Sequence, residues 1–212
     1  MAKKAKKKPI RTAVVLISLF LFSGALLIKI INYGGLDHKS SPQNFSKEEI
    51  PKTFIPIYKE AEKEYGVSWE LLAAVHRVET VFSTMDKLES PEGAIGHTQF
   101  MPCTFIGWGY PGCEEKGNLD VPKQILTDMS VINKYGGYGV DGNGNGRADP
   151  YDLEDAIYST ANYLASNGAA EGEEEKALFQ YNQADWYVEK VIDYAEEYKK
   201  HYVAVHYEEK DK

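Results

Sequence analysis

After residue 44 the chain alternates apolar and polar positions with a helical period over most of its length. Phe54, Ile57, Tyr58, Ala61 and Tyr65 fall on one face, so the period predicts a helix within 45–65, opened by a Ser46/Glu49 capping pattern and restarted at Pro51. Gly66 stops it. Ser68 is an N-cap residue with Glu70 in the following first turn, and Leu71, Leu72, Val75, Val78 and Phe82 draw a stripe that predicts a helix through Phe82. A third helix is expected from Asp152 to Asn167, stopped by Gly168, and two more over Glu173–Tyr181 and Asp185 to about Val205. Two stretches break the period and read as loops: Gly107–Val121, rich in Gly and Pro, and Asp141–Asp152, rich in Gly, Asn and Asp. The expected architecture is mainly α.

The N-terminus follows a different pattern. Residues 3–11 carry five lysines and Arg11, and Thr12 to Ile28 then run without a charge. At about 1.5 Å per residue that run spans about 26 Å, and about 33 Å if Lys29 snorkels and the helix continues to Tyr33, enough to cross a bilayer. The expectation is a cytoplasmic basic segment over 1–11, a single transmembrane anchor over 12–33 and a Ser- and Gly-containing linker over 34–44. The positive flank keeps residues 1–11 inside and everything after Tyr33 outside. A cleaved signal peptide ending near Ser23-Gly24-Ala25, which would release a secreted protein, is the alternative.

Charge sharpens that division. The formal net charge is −8, but residues 1–36 hold seven of the 24 Lys+Arg and none of the 32 Asp+Glu, leaving 17 − 32 = −15 for the rest. An acidic body argues against nucleic-acid binding. With 212 residues and 43% hydrophobic content, the chain can bury one sizeable core, expected over 45–205 before a charged tail at 206–212. A monomer is expected. Cys103 and Cys113 lie ten apart in a loop-like segment; outside the cytoplasm they would pair as a disulfide, and two unpaired thiols are the alternative. Zinc is not indicated, because neither cysteine has His or Cys neighbours at ligand spacing.

Asp141–Asp152, D-G-N-G-N-G-R-A-D-P-Y-D, has oxygen-bearing side chains at positions 1, 3 and 5 (Asp141, Asn143, Asn145), Gly146 at 6, a backbone carbonyl from Arg147 at 7 and Asp152 at 12. That spacing matches an EF-hand-like calcium loop, in which hard Ca²⁺ is met by converging oxygens. Two neutral Asn and an Asp at position 12 imply modest affinity, suited to extracellular calcium. An Asn-Gly turn without metal is the alternative.

The stretch Val78–Thr104 carries the candidate chemistry. Glu79 sits beside the stripe of its helix, four residues after Val75 and seven after Leu72, where it can be partly desolvated; on this pattern alone it is equally a surface glutamate. Downstream, Gly93 and Gly96 permit close backbone approaches. E-T-x-F over 79–82 followed by G-A-I-G-x-x-Q-F-M-P-x-T over 93–104 resembles the lytic transglycosylases, lysozyme-like enzymes that cut peptidoglycan, with the glycine-rich half closest to the membrane-bound B type. D-A-I-Y-S-T-A-N-Y at 155–163 and F-Q-Y-N at 179–182 extend the resemblance.

The resemblance implies a goose-type lysozyme-like domain with Glu79 catalytic and with Thr80, Gln99, Met101, Tyr163, Tyr181 and Asn182 binding substrate. His97 stands where the family often has a large apolar residue and is given no role. Trp108 and Tyr110 are possible sugar platforms. It further implies a single-carboxylate reaction: Glu79 protonates the oxygen between N-acetylmuramic acid and N-acetylglucosamine, then takes the proton of the muramoyl C6 hydroxyl as that oxygen closes a 1,6-anhydro ring. The chemistry needs no cofactor, and calcium would be structural. A hydrolytic muramidase of the same fold would draw its second carboxylate from Asp86, Glu89 or Glu92. A non-catalytic, calcium-dependent wall-binding module would not need Glu79.

Overall fold

A parallel pair of three-residue strands ties the two ends of the folded body together: β1 (Glu49–Pro51) lies beside β2 (Val203–Val205), with Glu49 opposite Val203 and Pro51 opposite Val205. The computed structural model describes residues 45–113 and 120–207, which fall in one compact unit. The expected cytoplasmic segment, anchor and linker over 1–44 lie outside the described residues. Among the described residues no helix is long and apolar enough to cross a membrane.

Between the strands the described residues form eight α-helices: α1 (Ile55–Tyr65), α2 (Trp69–Thr80), α3 (Pro102–Ile106), α4 (Lys123–Leu126), α5 (Met129–Tyr135), α6 (Leu153–Ser166), α7 (Glu174–Tyr181) and α8 (Asp185–Lys200). The architecture is mainly helical, consistent with a lysozyme-like fold. Glycine at 66 ends α1 in a left-handed cap whose N–H bonds the Glu62 carbonyl. Ser68 caps α2 through its backbone carbonyl alone; its hydroxyl is buried without a partner. Asp128 and Asp152 cap α5 and α6 with their side chains.

Expectations at both ends of the body are corrected. The helix expected within 45–65 begins only at Ile55, and the last helix stops at Lys200 instead of about Val205, because both flanks are used in the strand pair. Arg77 explains why the N-terminal flank stays extended: it is buried on α2 and donates to the carbonyls of Phe45 (3.0 Å) and Glu49 (3.1 Å), groups that a helix would have engaged internally. Tyr207, read with the charged tail, packs edge-on against Phe45 and Phe54 and belongs to the core.

The core has two parts. The larger joins α1, α2, α6, α7 and α8 around Leu71, Leu72, Val75, Ile157, Leu164 and Val191; the smaller joins the glycine-rich turn, α3 and α5 around Phe100, Phe105 and Ile132. Tyr163 on α6 and Tyr181 on α7 pack against both and mark the seam. Cys103 and Cys113 form a disulfide with Cα atoms 5.7 Å apart, closing the loop behind α3 within the smaller core.

Candidate active site

Glu79 is the penultimate residue of α2, half-buried where the helix emerges from the larger core. Its stripe-mates Leu72 and Val75 are fully buried, so the helix that presents the carboxyl cannot shift without opening the core. Burial pushes the carboxyl up to about 7. The buried hydroxyl of Tyr187, on α8, lies close enough to favour the carboxylate and offset part of that shift. It stops short of hydrogen-bond geometry and has no other partner among the described residues. The phenol of Tyr181 is pushed far up, by burial first and then by the Glu79 charge, which places this ring near the carboxyl as well.

The turn Ile95–Phe100, tied to α2 by the Thr80–His97 bond, is closed by bonds from Ile95 N to Phe100 O (2.8 Å) and from Phe100 N to Ile95 O (2.9 Å). Gly96 makes it possible: at φ +77° a Cβ there would lie 2.0 Å from the Pro150 carbonyl oxygen. Tyr181 latches α7 to the turn by donating to the Thr98 carbonyl (2.7 Å), and Tyr163 donates to the Gln180 carbonyl (2.8 Å). With Phe100 and Tyr138 these rings make a continuous edge-to-face cluster along the seam, Tyr163 lying 5.2 Å from Tyr181 and 4.7 Å from Tyr138 between centroids.

Most of the residues expected to bind sugar gather here, with different freedom. Tyr163, Tyr181 and Asn182 are half-buried at the seam, and Met101 is exposed at the start of α3. Gln99, at φ +55°, donates its side-chain amide to the Gly96 carbonyl (2.8 Å), so its donor closes its own turn. Thr80 is fully buried and donates to the His97 carbonyl (2.7 Å), behind Glu79. Trp108 is exposed, while Tyr110 packs edge-on against Tyr135. Asp86 and Glu92 are exposed, and Glu89 accepts a bond from the Tyr151 hydroxyl (2.6 Å).

Directly after α2, Val81, Phe82 and Ser83 all have positive φ (50°, 57° and 64°). Each left-handed non-glycine residue costs on the order of 1 kcal/mol, so the run persists only because its surroundings hold it. Phe82 is buried edge-on to Phe45, and the Ser83 backbone N–H bonds the Thr80 hydroxyl (3.0 Å). This run also ends α2 at Thr80, two residues before the end expected at Phe82.

The Asp141–Asp152 loop is ordered by its own side chains. Asp141 accepts from the N–H groups of Asn145 (2.9 Å) and Gly146 (2.7 Å), Asn143 from Asn145 (3.0 Å), and Asn145 from Arg147 (3.0 Å). Asp152 instead faces the helix it caps, accepting from Glu154 and Asp155 N–H groups. The carboxylate that enters the loop is Asp155, fully buried, which accepts from Gly142 (2.8 Å), Asn143 (3.3 Å) and Asp149 (2.8 Å) and is nevertheless pushed up to about 6 by burial. A buried carboxylate short of countercharge, in a loop that also holds Asn143 and Asn145, fits a hard cation. Among the described residues no cluster of three or more His, Cys, Asp or Glu converges, so amide and carbonyl oxygens would have to complete the set. Sequence reasoning missed Asp155, which lies beyond the twelve-residue template, and Tyr187, whose place in an amphipathic helix reads as core.

A mainly helical body is consistent with a lysozyme-like fold, and it carries a desolvated glutamate at the end of α2. Residues 132–177 match the family model described as Transglycosylase SLT domain, a match that supports transglycosylase activity on peptidoglycan. The match holds the Asp141–Asp152 loop and Tyr163, and Glu79 and Tyr181 lie outside it. No curated protein matches the chain.

Proposed function

We propose that the enzyme cuts the β-1,4 bond between N-acetylmuramic acid and N-acetylglucosamine and leaves a 1,6-anhydromuramoyl end, with Glu79 as sole acid and base. The observation that carries this reading is the Glu79 carboxyl pushed up to about 7 at the end of a rigid helix. Near neutral pH such a group still holds the proton it must give, and once it has given it the carboxylate is a strong enough base to take one back. Glu79 protonates the glycosidic oxygen as the bond from it to muramoyl C1 breaks. The C6 oxygen bonds C1, and its proton returns to Glu79, so no water is consumed and the residue is restored. A substrate that carries its own nucleophile on the same ring replaces the second carboxylate by proximity. Tyr163, Tyr181, Asn182, Gln99 and Met101 line the strand's path, while Thr80 supports Glu79 from behind. Mass analysis of muropeptides released from purified peptidoglycan tests this: anhydromuramoyl ends are expected, and reducing muramic acid would assign the chain to the hydrolytic muramidases.

The same reading gives the domain a goose-type lysozyme-like fold with a structural Ca²⁺ in the EF-hand-like loop. Asp141, Asn143, Asn145 and the Arg147 carbonyl are the proposed holders, joined by Asp155 and by Asp152 through Oδ2, since its cap bonds both use Oδ1. The ion would bring positive charge to a buried carboxylate and fix the loop; the sugar chemistry belongs to Glu79. The basic flank and apolar run of residues 1–33 support a single-pass anchor with the acidic body outside the cell membrane. Protease added to intact cells should remove the body, and a mature protein starting near Leu26 would replace the anchor by a cleaved signal.

A further inference from the structure

Behind Glu79 runs a buried hydrogen-bonded chain that the chemistry above does not use. The Tyr58 hydroxyl is 2.8 Å from His76 Nδ1, and His76 Nε2 is 2.7 Å from Ser83 Oγ. Ser83 Oγ is in turn 2.6 Å from His97 Nδ1, and His97 Nε2 is 2.9 Å from the Tyr151 carbonyl oxygen. Five residues from α1, α2, the strained turn, the glycine-rich turn and the Asp141–Asp152 loop are thus joined end to end.

With neutral rings the protons in this chain have one order. A carbonyl oxygen only accepts, so His97 carries its proton on Nε2 and accepts at Nδ1. Ser83 must therefore donate to His97 and accept from His76 Nε2, which leaves His76 Nδ1 to accept from Tyr58. Burial, and then the facing His97, hold His76 well below its ordinary value, in keeping with a neutral ring. Every link thereby has a direction, and Ser83 is the only member that must both give and receive through one atom.

We propose that Ser83 and His97 are positioning residues for Glu79: their bond locks the left-handed run Val81–Ser83 and thereby fixes the last turn of α2 against the glycine-rich turn. The geometry is direct. Thr80, next to Glu79, donates to the carbonyl of His97, and Ser83 N–H bonds the Thr80 hydroxyl, so the side-chain link and these two backbone links close one compact ring. His97 is held from the other side, its N–H bonding the Pro150 carbonyl (3.1 Å) beside the Gly96 crossing. Removing the Ser83 hydroxyl frees the one run with an intrinsic tendency to unwind, and Glu79 lies two residues before it.

The proposal rests on Glu79 as the catalytic acid, so its test needs a readout that does not. Titration of the Glu79 side-chain carboxyl by ¹³C NMR in the wild-type domain, Ser83→Ala, Ser83→Gly and His97→Phe supplies one. Glycine relieves the positive φ and alanine does not, so a purely conformational role for Ser83 is rescued by glycine and a hydroxyl role is not. The expected result is that all three variants lower the Glu79 midpoint by about one unit or more as water reaches the carboxyl. They should also lower kcat about tenfold with KM little changed. An unmoved Glu79 midpoint in folded Ser83→Ala or Ser83→Gly overturns the proposal whatever the activity. Full activity in Glu79→Gln would instead remove the catalytic reading and leave the positioning to be judged by the midpoints.

Discussion

Glu79 and Asp155 are both carboxylic acids taken out of water, and both are pushed above the ordinary carboxylate range, to about 7 and about 6. Their surroundings differ in one respect. Asp155 accepts three backbone N–H bonds from the loop it organises, each favouring the charged form, so burial is offset by fixed donors. Glu79 has aromatic neighbours and one phenol that stops short of bonding it. A carboxylate surrounded by donors is held in place and holds others; a carboxyl with few of them keeps its proton to near-neutral pH and can hand it over. On the proposed reading of Glu79 as the acid, the two carboxyls are told apart by their donors and not by desolvation alone.

Removing the reactive member should have the largest effect. Glu79→Gln keeps the shape but has no carboxylic proton, and a loss of about 10²-fold or more in kcat is expected, measured on purified peptidoglycan. Stability should move the other way, with a definite sign. Below about pH 4.5 Glu79 is protonated folded or unfolded; between there and about 7 the unfolded chain ionises it and the folded one does not, so wild-type stability falls across that window. Glu79→Gln escapes this loss and should unfold at higher temperature than wild type at pH 8, by up to about 3 kcal/mol, with little difference at pH 4. In the wild type, kcat/KM should fall above pH of about 7 as the acid form is lost. Asp155→Ala is the counterpart: three N–H groups lose their acceptor in a buried site, so about 2–4 kcal/mol of stability should go, read by denaturant unfolding, with Glu79's own titration unmoved.

How much of this was visible beforehand depends on how far each signal reaches along the chain. The α2 stripe, the Gly66 stop and the Asp152 cap are local patterns, and the structure places them within two residues of where the sequence does. The strand pair was invisible because its two three-residue partners are about 150 residues apart, and only Arg77, a charged residue on a helix, supplies the reason the first stays extended. The tyrosines of the seam were found through motif resemblance. Tyr187 was not, since nothing local separates a tyrosine that fills a core from one whose hydroxyl stands beside a carboxyl. His97 stands out in the sequence as a departure, but the partner that gives it meaning, Ser83, sits in a run whose positive φ values no side chain there announces.

Two further tests sharpen the contrast between the loop and the helix end. Replacing Cys103 and Cys113 together by Ala should cost about 2–3 kcal/mol through the short closed loop while leaving the pH profile of activity in place, because the bridge lies in the smaller core away from α2. Millimolar Ca²⁺ should raise the unfolding temperature relative to excess chelator through linkage to the folded state, and that rise should vanish in Asp141→Ala but persist in Glu79→Gln. An unfolding curve indifferent to calcium would leave Asp155 as a purely backbone-binding carboxylate.

The smallest effect is expected at Tyr187, and its direction is the informative part. The ring is buried, stacked at 6.5 Å on Tyr181 and edge-on to Trp186, and Tyr187→Phe keeps those contacts. The hydroxyl it removes has no hydrogen-bond partner, so stability should change by less than about 1 kcal/mol, unlike the loss expected when a bonded buried group is cut away. What changes is Glu79, which loses the one neighbour that favours its charged form. Its midpoint should rise above about 7, opposite to the fall expected for Ser83→Ala, and kcat should drop several-fold as the carboxyl becomes a weaker proton donor. A fall in the midpoint, or a large loss of stability, would mean that Tyr187 serves a partner other than Glu79. Glu79 would then be set by burial alone, and the difference from Asp155 would be one of donors against none.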